Sequence, residues 1–568
     1  MVLNALLIGC KKVSRKDAKK AKNRPIRELL LTPPGETLSR EILLTFILLS
    51  LSLLPLNSQY IQQNPVPNDV YSFLDEFNLP YNSSVKPMGR ERIKNLLLDI
   101  DPSSLNNRQQ KELSFYLKDF NKETLQLNNS PHRIDALYLR DSLFSLTLNP
   151  IGGGTFWNTA EGSAYHWWNG LYAMGKMGNW GFFASLTDNH ESENLMSPDY
   201  LTQRQGGSNI KSFSDGKQDY WDSRGGITYG WKHGHIGLIK DNFSWGSGYN
   251  GSNIFSGRSP SFVHLSLNLR PVKWFEFNYI HGWLVSEVVD STRSFFYSHP
   301  SGSVFRRTYH GKFIAANLFS FKPLKNIYIS AGNSIVYDYN NLHPAYLIPV
   351  LFYKAVDHHL QSGMDNMNSM LFLDLSVKII PNTHLYLTAF MDEIAVKRIF
   401  NPDEFNFLSY KGGIKLSNLI PNTFAILEYT WTNALAYRHY VPTLSFESNR
   451  YNLGHYLTDN AKELFISTGI KPLPGLNLNV SFTNARKGPD HTLLGTQRVG
   501  IVPFSPIVWE SNSFSFNASW QIINDIWLNA GYTRQETKGE EEYLERYTPS
   551  FWNGNKGAVN FGLSVGRH

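Results

Sequence analysis

From Arg140 to the end of the chain, apolar and polar residues alternate with a period of two. "LNLNVSFT" sets Leu476, Leu478, Val480 and Phe482 against Asn477, Asn479, Ser481 and Thr483. "LFLDLSVKI" sets Leu371, Leu373, Leu375, Val377 and Ile379 against Asp374, Ser376 and Lys378. "SFSFNASWQI" (513–522) and "VNFGLSVG" (559–566) repeat the pattern. Period two marks strands with one apolar face. Soluble sandwiches also alternate. Here the second face is small and polar, not charged, and the pattern runs through residues 140–568. It predicts a transmembrane antiparallel β-barrel with lipid outside and a polar lumen.

The connections sharpen this reading. Short turns fall at 232–235, 270–273, 322–325, 381–383, 421–423, 471–475 and 523–525. Long polar stretches lie near 190–224, 246–261, 285–305, 338–370, 393–410, 433–461, 485–511 and 534–557. Short and long alternate, as the periplasmic turns and extracellular loops of outer-membrane barrels do. Counting candidates gives about 18 strands, an even number. "WGSGYNGSNIFSGRSPSF" (245–262) is too polar for a strand and too long for a tight hairpin. Its place in the alternation predicts an external loop facing outward.

Residues 65–125 follow another period. Ile93, Leu96, Leu97 and Ile100 fall at helical spacing, as do Leu113, Tyr116, Leu117 and Phe120. Asn106 followed by Gln109 predicts a reciprocal N-terminal cap. "NDVYSFLDEF" predicts a third, shorter helix from near Asn68. Three short amphipathic helices make a small bundle on the short-turn side, hence periplasmic. Residues 126–139 read as a linker to the barrel at 140–568.

Composition supports this class. Charged residues make up 18% and aromatics 14%, and no apolar run after residue 58 is long enough for a spanning helix. Ten Lys/Arg and four Asp/Glu fall within 1–58, so six of the seven net positive charges belong to that tract. "KKVSRKDAKKAKNR" has the composition of a nucleic-acid-binding arm. It leads, however, into "REILLTFILLSLSLLPLNSQ", which has the order of a signal peptide. Residues 1–58 are therefore read as an upstream basic tract plus cleaved signal peptide. A mature chain follows from Gln59, with 59–64 as its tail. "LIGC" resembles a lipoprotein box, but its apolar lead is very short and lacks basic residues. Cys10, the only cysteine, is lost with the signal. The mature chain then has no disulfide, Cys–metal site or Cys nucleophile.

The predicted loops hold clusters of rings beside planar polar groups: "FWNTAEGSAYHWW" (156–168), "NLHPAYLIPVLFYKAVDHHL" (341–360), "YTWTNALAYRHY" (429–440) and "NRYNLGHYLTDNAKE" (449–463). Rings stack on sugar faces, and amides and guanidinium groups pair with hydroxyls. Interfacial girdles account for part of the aromatic content. The candidate polysaccharide-binding residues are Trp157, Trp245, Tyr249, Arg258, Tyr346, Tyr437, Arg438, His439 and His455. Arg258 is the candidate partner for a uronic acid carboxylate. His358 and His359 are adjacent and would point to opposite sides of a strand. No zinc-type spacing or catalytic triad stands out. "KGEEEYLER" (538–546) reads as a solvated acidic loop.

The loop at 245–262, "HPAYLIPVLFY" followed by "DNMNSMLFLDL", and "YRHYVP…LGHYLTDNAKEL" are similar in order and spacing to the Wzi capsule-assembly family of outer-membrane barrels. The helical lead-in resembles the family's N-terminal part. The family pattern has proline after the first Trp-Gly and Gly-Pro before the last motif's Asn; here Ser247 and Thr458–Asp459 stand instead. The resemblance implies a lectin-like barrel that retains exported capsular polysaccharide at the surface of a Gram-negative cell. It implies no catalysis and no cofactor. Expected partners are capsular or other surface polysaccharide, outer-membrane lipid and, through assembly, capsule-export or secretion machinery; nucleic acid is not among them. The alternatives are a diffusion porin and the barrel component of a surface secretion or motility machine.

Overall fold

Eighteen antiparallel strands close into a barrel. The computed structural model describes residues 70–77, 79–120, 134–141, 144–195, 210–214, 217–339, 341–360, 367–394, 406–491, 501, 503–523 and 525–566. The basic tract, signal peptide, Gln59 start and 59–64 tail lie outside the described residues. In chain order the wall begins with β1 (Phe144–Asn158), β2 (Ser163–Met177), β3 (Trp180–Ser192), β4 (Lys217–Trp231), β5 (Gly234–Asp241) and β6 (Phe262–Val272). It continues through β7 (Phe275–Leu284), β8 (Lys312–Leu324), β9 (Ile327–Tyr337), β10 (Met367–Val377), β11 (Thr383–Glu393) and β12 (Phe407–Ser417). β13 (Thr423–Thr432), β14 (Ala461–Leu473), β15 (Leu476–Lys487), β16 (Trp509–Ile523), β17 (Ile526–Gly539) and β18 (Asn555–Val565) complete it. β18 pairs with β1, with Phe561 opposite Phe156, and this seam closes the cylinder.

The period-two pattern places side chains as expected. Leu373 and Leu375 of β10 are exposed on the outer face, whereas Asp374 and Ser376 are buried toward the lumen. Phe514 and Phe516 of β16 and Val559, Phe561 and Leu563 of β18 are likewise exposed. These apolar residues form the lipid-facing band. The short turns use the left-handed region, with Asn326, Asn382, Asn422 and Asp525 at φ 64°, 61°, 64° and 52°. Asn and Asp tolerate that region better than other non-glycine residues.

Among the described residues three α-helices precede the barrel: α1 (Val70–Leu74), α2 (Arg90–Leu98) and α3 (Asn107–Phe120). Phe73, Leu74, Ile93, Leu97, Leu113 and Phe120 form their common core. The reciprocal cap is present: Gln109 N donates to Asn106 Oδ1 at 3.0 Å, and Asn106 N to Gln109 Oε1 at 3.1 Å. Leu137–Arg140, which spans the end of the expected linker and the first expected barrel residue, pairs with β1. "FWNTAEGSAYHWW" is not a long loop. It is the end of β1, a four-residue connection and the start of β2, because its alternation continues through both strands. His358 and His359 lie in the last turn of α4 (Tyr353–Leu360), where Tyr353, Val356 and Asp357 recur at helical spacing. Glu541–Tyr547 of the acidic stretch is a helix, α5.

Candidate functional site

The stretch 245–262 does not face outward. Between β5 and β6 the chain turns into the lumen and fills part of it. Ile254 and Asn253 are fully buried, and Trp245 and Phe255 nearly so. Trp245 and Phe255 exchange backbone hydrogen bonds at 3.0 and 3.3 Å, which folds the segment back on itself. Gly246 sits at φ 115°, and a Cβ there would meet Ser252 Oγ at 2.3 Å. Trp-Gly is therefore a turn requirement. The segment is polar because the lumen wall offers it polar partners, not because it meets water.

Those partners are charged residues in the inward phase of the strands. Glu428 on β13 accepts from Tyr249 N at 2.6 Å and Asn250 N at 3.0 Å. Lys411 on β12 donates to Glu428 at 2.9 Å and to the Asn250 carbonyl at 3.0 Å. Asn250 Nδ2 donates to Glu463 on β14 at 2.9 Å. Ser247 N and Oγ donate to Asp374 at 2.9 and 2.8 Å. Ser247 is thus one of the attachments of this lumen plug. Beside this polar seat, Ile254 and Phe255 pack on Ile314, Ala316, Leu318, Phe372 and Phe390 of the wall.

Helices α1–α3 cap the short-turn mouth. Asp75 pairs with Lys415 at 2.8 Å, Glu76 with Lys471 at 2.9 Å and Arg92 with Glu276 at 3.0 Å. Burial raises the Asp75 carboxyl, but Lys415, Lys378 and Lys86 overcome it and hold it well below the usual range. Burial likewise opposes Lys471 and Arg108 at Glu76, which is held down to about 2. Asn422, in the turn between β12 and β13, accepts from Asn106 and Arg108 at 3.0 Å each. Cap and plug meet where Val85–Lys86 pairs with Ser244–Trp245 as a two-stranded ribbon.

Between these elements and the bare wall of β15–β18 lies a cavity of about 480 Å³. Asn477, Asn479, Asn517, Ser519, Asn529 and Asn560 line it from the wall, with Lys415, Lys471 and Tyr249 opposite.

The candidate residues divide among several places. Trp245 and Tyr249 belong to the plug, where Tyr249 hydroxyl meets His384 Nδ1 at 2.8 Å. Half-buried Arg258 sits in the same region; burial lowers its pKa against the fields of Tyr456, Glu463 and Glu428. The guanidinium expected to meet a sugar acid thus already lies in the field of two protein carboxylates, Glu463 and Glu428. His455 is buried 3.3 Å from Glu463, and burial lowers its pKa. Tyr437 hydroxyl donates to the Asn253 carbonyl at 2.7 Å, tying the 433–460 loop onto the plug. Arg438 pairs with Asp459 at 2.7 Å and Asp490 at 2.9 Å. The carboxylate of Asp459 is fully buried. His439 Nδ1 accepts from Val441 N at 3.1 Å, and its ring lies 4.2 Å from Tyr440. Trp157, near the outer end of β1, packs with Ala164, Leu195 and Phe551. Tyr346 is fully buried away from all of these, against the outer wall of the barrel.

Residue-type reasoning missed Asp75, Asp374, Lys411, Glu428 and Glu463. For Asp374, Lys411, Glu428 and Glu463 the available signal was an ionisable residue in the lumen phase of an alternating strand; Asp75, just after α1, carried none. Among the described residues no group of three His, Cys, Asp or Glu side chains is placed to hold a metal.

No protein-family model and no curated protein matches the chain. Among solved structures, the fold is that of Wzi, an outer-membrane protein involved in group 1 capsule assembly in Escherichia coli and a carbohydrate-binding barrel. The TM-score is 0.55 at 12% identity, over 89% of this chain and 99% of that one. OccAB2 of Acinetobacter baumannii is also similar, with TM-score 0.42 and 10% identity over 74% of this chain and 97% of that one. OccD3 (OpdP) of Pseudomonas aeruginosa has TM-score 0.39 at 10% identity, over 73% and 90% respectively. The architecture is that of an outer-membrane barrel.

Proposed function

We propose that the protein is a non-catalytic outer-membrane barrel that holds exported surface polysaccharide, capsular in the first instance, at its long-loop end, with the helical cap in the periplasm. The observation carrying this reading is the filled lumen. A chain that commits a loop, three helices and buried ion pairs to closing its own channel offers a loop surface more readily than a pore. On that surface the hairpin Phe295–His299/Gly302–Arg306 is exposed along its whole length. Phe296 stands 69% exposed, with Tyr297 and Phe305 also open to solvent. Arg306 lies 5.7 Å over the Phe295 ring. Open rings beside a guanidinium suit sugar faces and acidic sugars. The plug and the 433–460 loop brace this surface from below.

The test is binding of purified barrel to the host's own capsule and lipopolysaccharide fractions, compared with the triple variant Phe296→Ala/Tyr297→Ala/Arg306→Ala. One stacking or hydrogen-bonding contact contributes about 1 kcal/mol, so the triple variant should bind one to two orders of magnitude more weakly. Failure of the wild type to bind either fraction would reject the function; unchanged binding by the variant would move the site off the hairpin.

The cavity against β15–β18 favours a second reading, a diffusion porin whose path opens when the plug shifts. Conductance separates the two.

A further inference from the structure

The segment 344–360 leaves the top of β9 and lies on the outside of the barrel. Its partners are outward-phase residues of the wall. Tyr279 hydroxyl donates to the Tyr346 carbonyl at 2.8 Å. Asn317 Nδ2 donates to the Pro349 and Leu351 carbonyls at 3.0 and 2.9 Å. Asn333 Oδ1 accepts from Tyr353 N at 2.9 Å, and Asn333 Nδ2 donates to Asn317 Oδ1 at 2.8 Å. Two carboxamides on a lipid-facing wall would be costly if bare, because hydrocarbon offers them no partner. The strap's backbone satisfies them. Under it Phe313, Ala315, Ile335 and Tyr337 are buried, while Phe321 and Ile329, in the same outward phase nearer the short turns, are exposed.

The strap's own outer side is apolar. Ile348, Val350 and Phe352 are exposed, with Val350 at 60%. Asn333 lies four residues below Tyr337, the loop-side end of β9. At ~3.3 Å rise and ~40° tilt, that is roughly 10 Å below the rim. The chain re-enters the wall at Met367, opposite Tyr337 at the rim, and α4, which precedes it, carries exposed Lys354, His358 and His359. Apolar residues thus sit at acyl-chain depth and cationic or protonatable ones nearer the head groups, the arrangement of an interfacial helix.

We infer that residues 344–360 form a lipid-seated strap, with Ile348, Val350 and Phe352 among outer-leaflet acyl chains, Lys354 reaching up from that level along its aliphatic stem, and His358 and His359 at the phosphate-bearing head groups. Continuity with exposed Phe321, Ile329 and Leu373 selects lipid as the occupant over a second copy of the chain. The inference rests on the bilayer placement of the barrel and is independent of polysaccharide binding.

Spin labels test it. In a Cys10→Ser background, Val350→Cys, His358→Cys and, as lipid-facing reference, Val559→Cys are labelled and reconstituted in phosphatidylethanolamine/phosphatidylglycerol vesicles. Collision rates with oxygen and with a nickel chelate are then compared. The expected result is a Val350 label as oxygen-favouring as Val559, with the preference shifted toward nickel at His358. A nickel-favouring Val350 label places the strap in water and overturns the inference. A Val350 label shielded from both reagents shows that protein covers it and overturns it too. A nickel-favouring Val559 label would reject the bilayer placement itself, and the strap with it.

Discussion

Lys411 and Glu428 form an ion pair of 2.9 Å with side chains 0% and 1% exposed, and the same two groups hold the tip of the plug through Asn250 and Tyr249. A pair this buried is not a large net source of stability, since desolvation offsets most of the attraction. Its effect is to specify which loop enters the lumen and how deep. Lys411→Met strands the carboxylate, which should cost about 3–5 kcal/mol of plug seating. Glu428→Gln in addition should recover much of this by removing the stranded charge. Thermal unfolding of Lys411→Met, Glu428→Gln and the double variant, followed by electrophoretic mobility, gives the coupling. Additive losses would mean the pair does not act as a unit.

The plug also predicts conductance. Wild-type barrel in planar bilayers should pass little or no steady current. Replacing 247–256 by a short Gly/Ser linker and removing residues 70–120 should open a stable channel, because the lumen face of β10–β14 and the short-turn mouth are then both bare. Large steady current in the wild type would favour the porin reading.

At the other mouth, acid should release the helices late. The carboxyls of Asp75 and Glu76 are held below their ordinary values. Their contribution to docking is therefore complete above the ordinary carboxylate range of about 4. It is lost as pH falls through the folded values, about 2 for Glu76 and lower for Asp75. Protease accessibility of residues 70–120 should stay flat from pH 8 to about 5 and rise only in strong acid. Asp75→Asn should raise it at every pH, because Lys415 and Lys378 lose their counter-charge. Release between pH 6 and 5 would point to a histidine instead.

Membrane sidedness is checked by labelling. In a cysteine-free background, Ser301→Cys in the projecting hairpin should react with an impermeant maleimide on intact cells. Lys325→Cys, in the turn between β8 and β9, should react only after the outer membrane is opened. Reaction of both on intact cells would overturn the topology.

The strands, their facing and the helical cap were legible because each rests on a local period: two for the wall, 3.6 for α2 and α3. The reciprocal Asn106–Gln109 cap was legible from an equally local signal, a capping pair three residues apart. The path of 245–262 was not. A polar, glycine-rich segment has the same composition whether it meets water or a lumen lined by Asp374, Glu428 and Glu463. Only the pairing of strands distant in sequence decides between them. Tyr437, Arg438 and His455 look like ligand-binding residues for a related reason: a buried side chain that braces a loop needs the same hydrogen-bonding groups as one that holds a sugar. Tyr346 was misplaced because nothing in a loop's sequence says it will fold over the outside of its own barrel.

The wall is unequal in thickness. At β8 and β9 three layers lie along one radius: strap, strand and plug, with Ile314, Ala316 and Val336 inside and Ala315, Ile335 and Tyr337 outside, all inaccessible. At β16–β18 one layer separates lipid from the cavity, and the β18–β1 seam adjoins that thin sector. Ring-shaped sheets breathe where least is packed against them, so amide protons should exchange sooner along β16–β18 than along β8–β9. The barrel is a rigid keel with a compliant flank, and a widening of the cavity would begin on that flank.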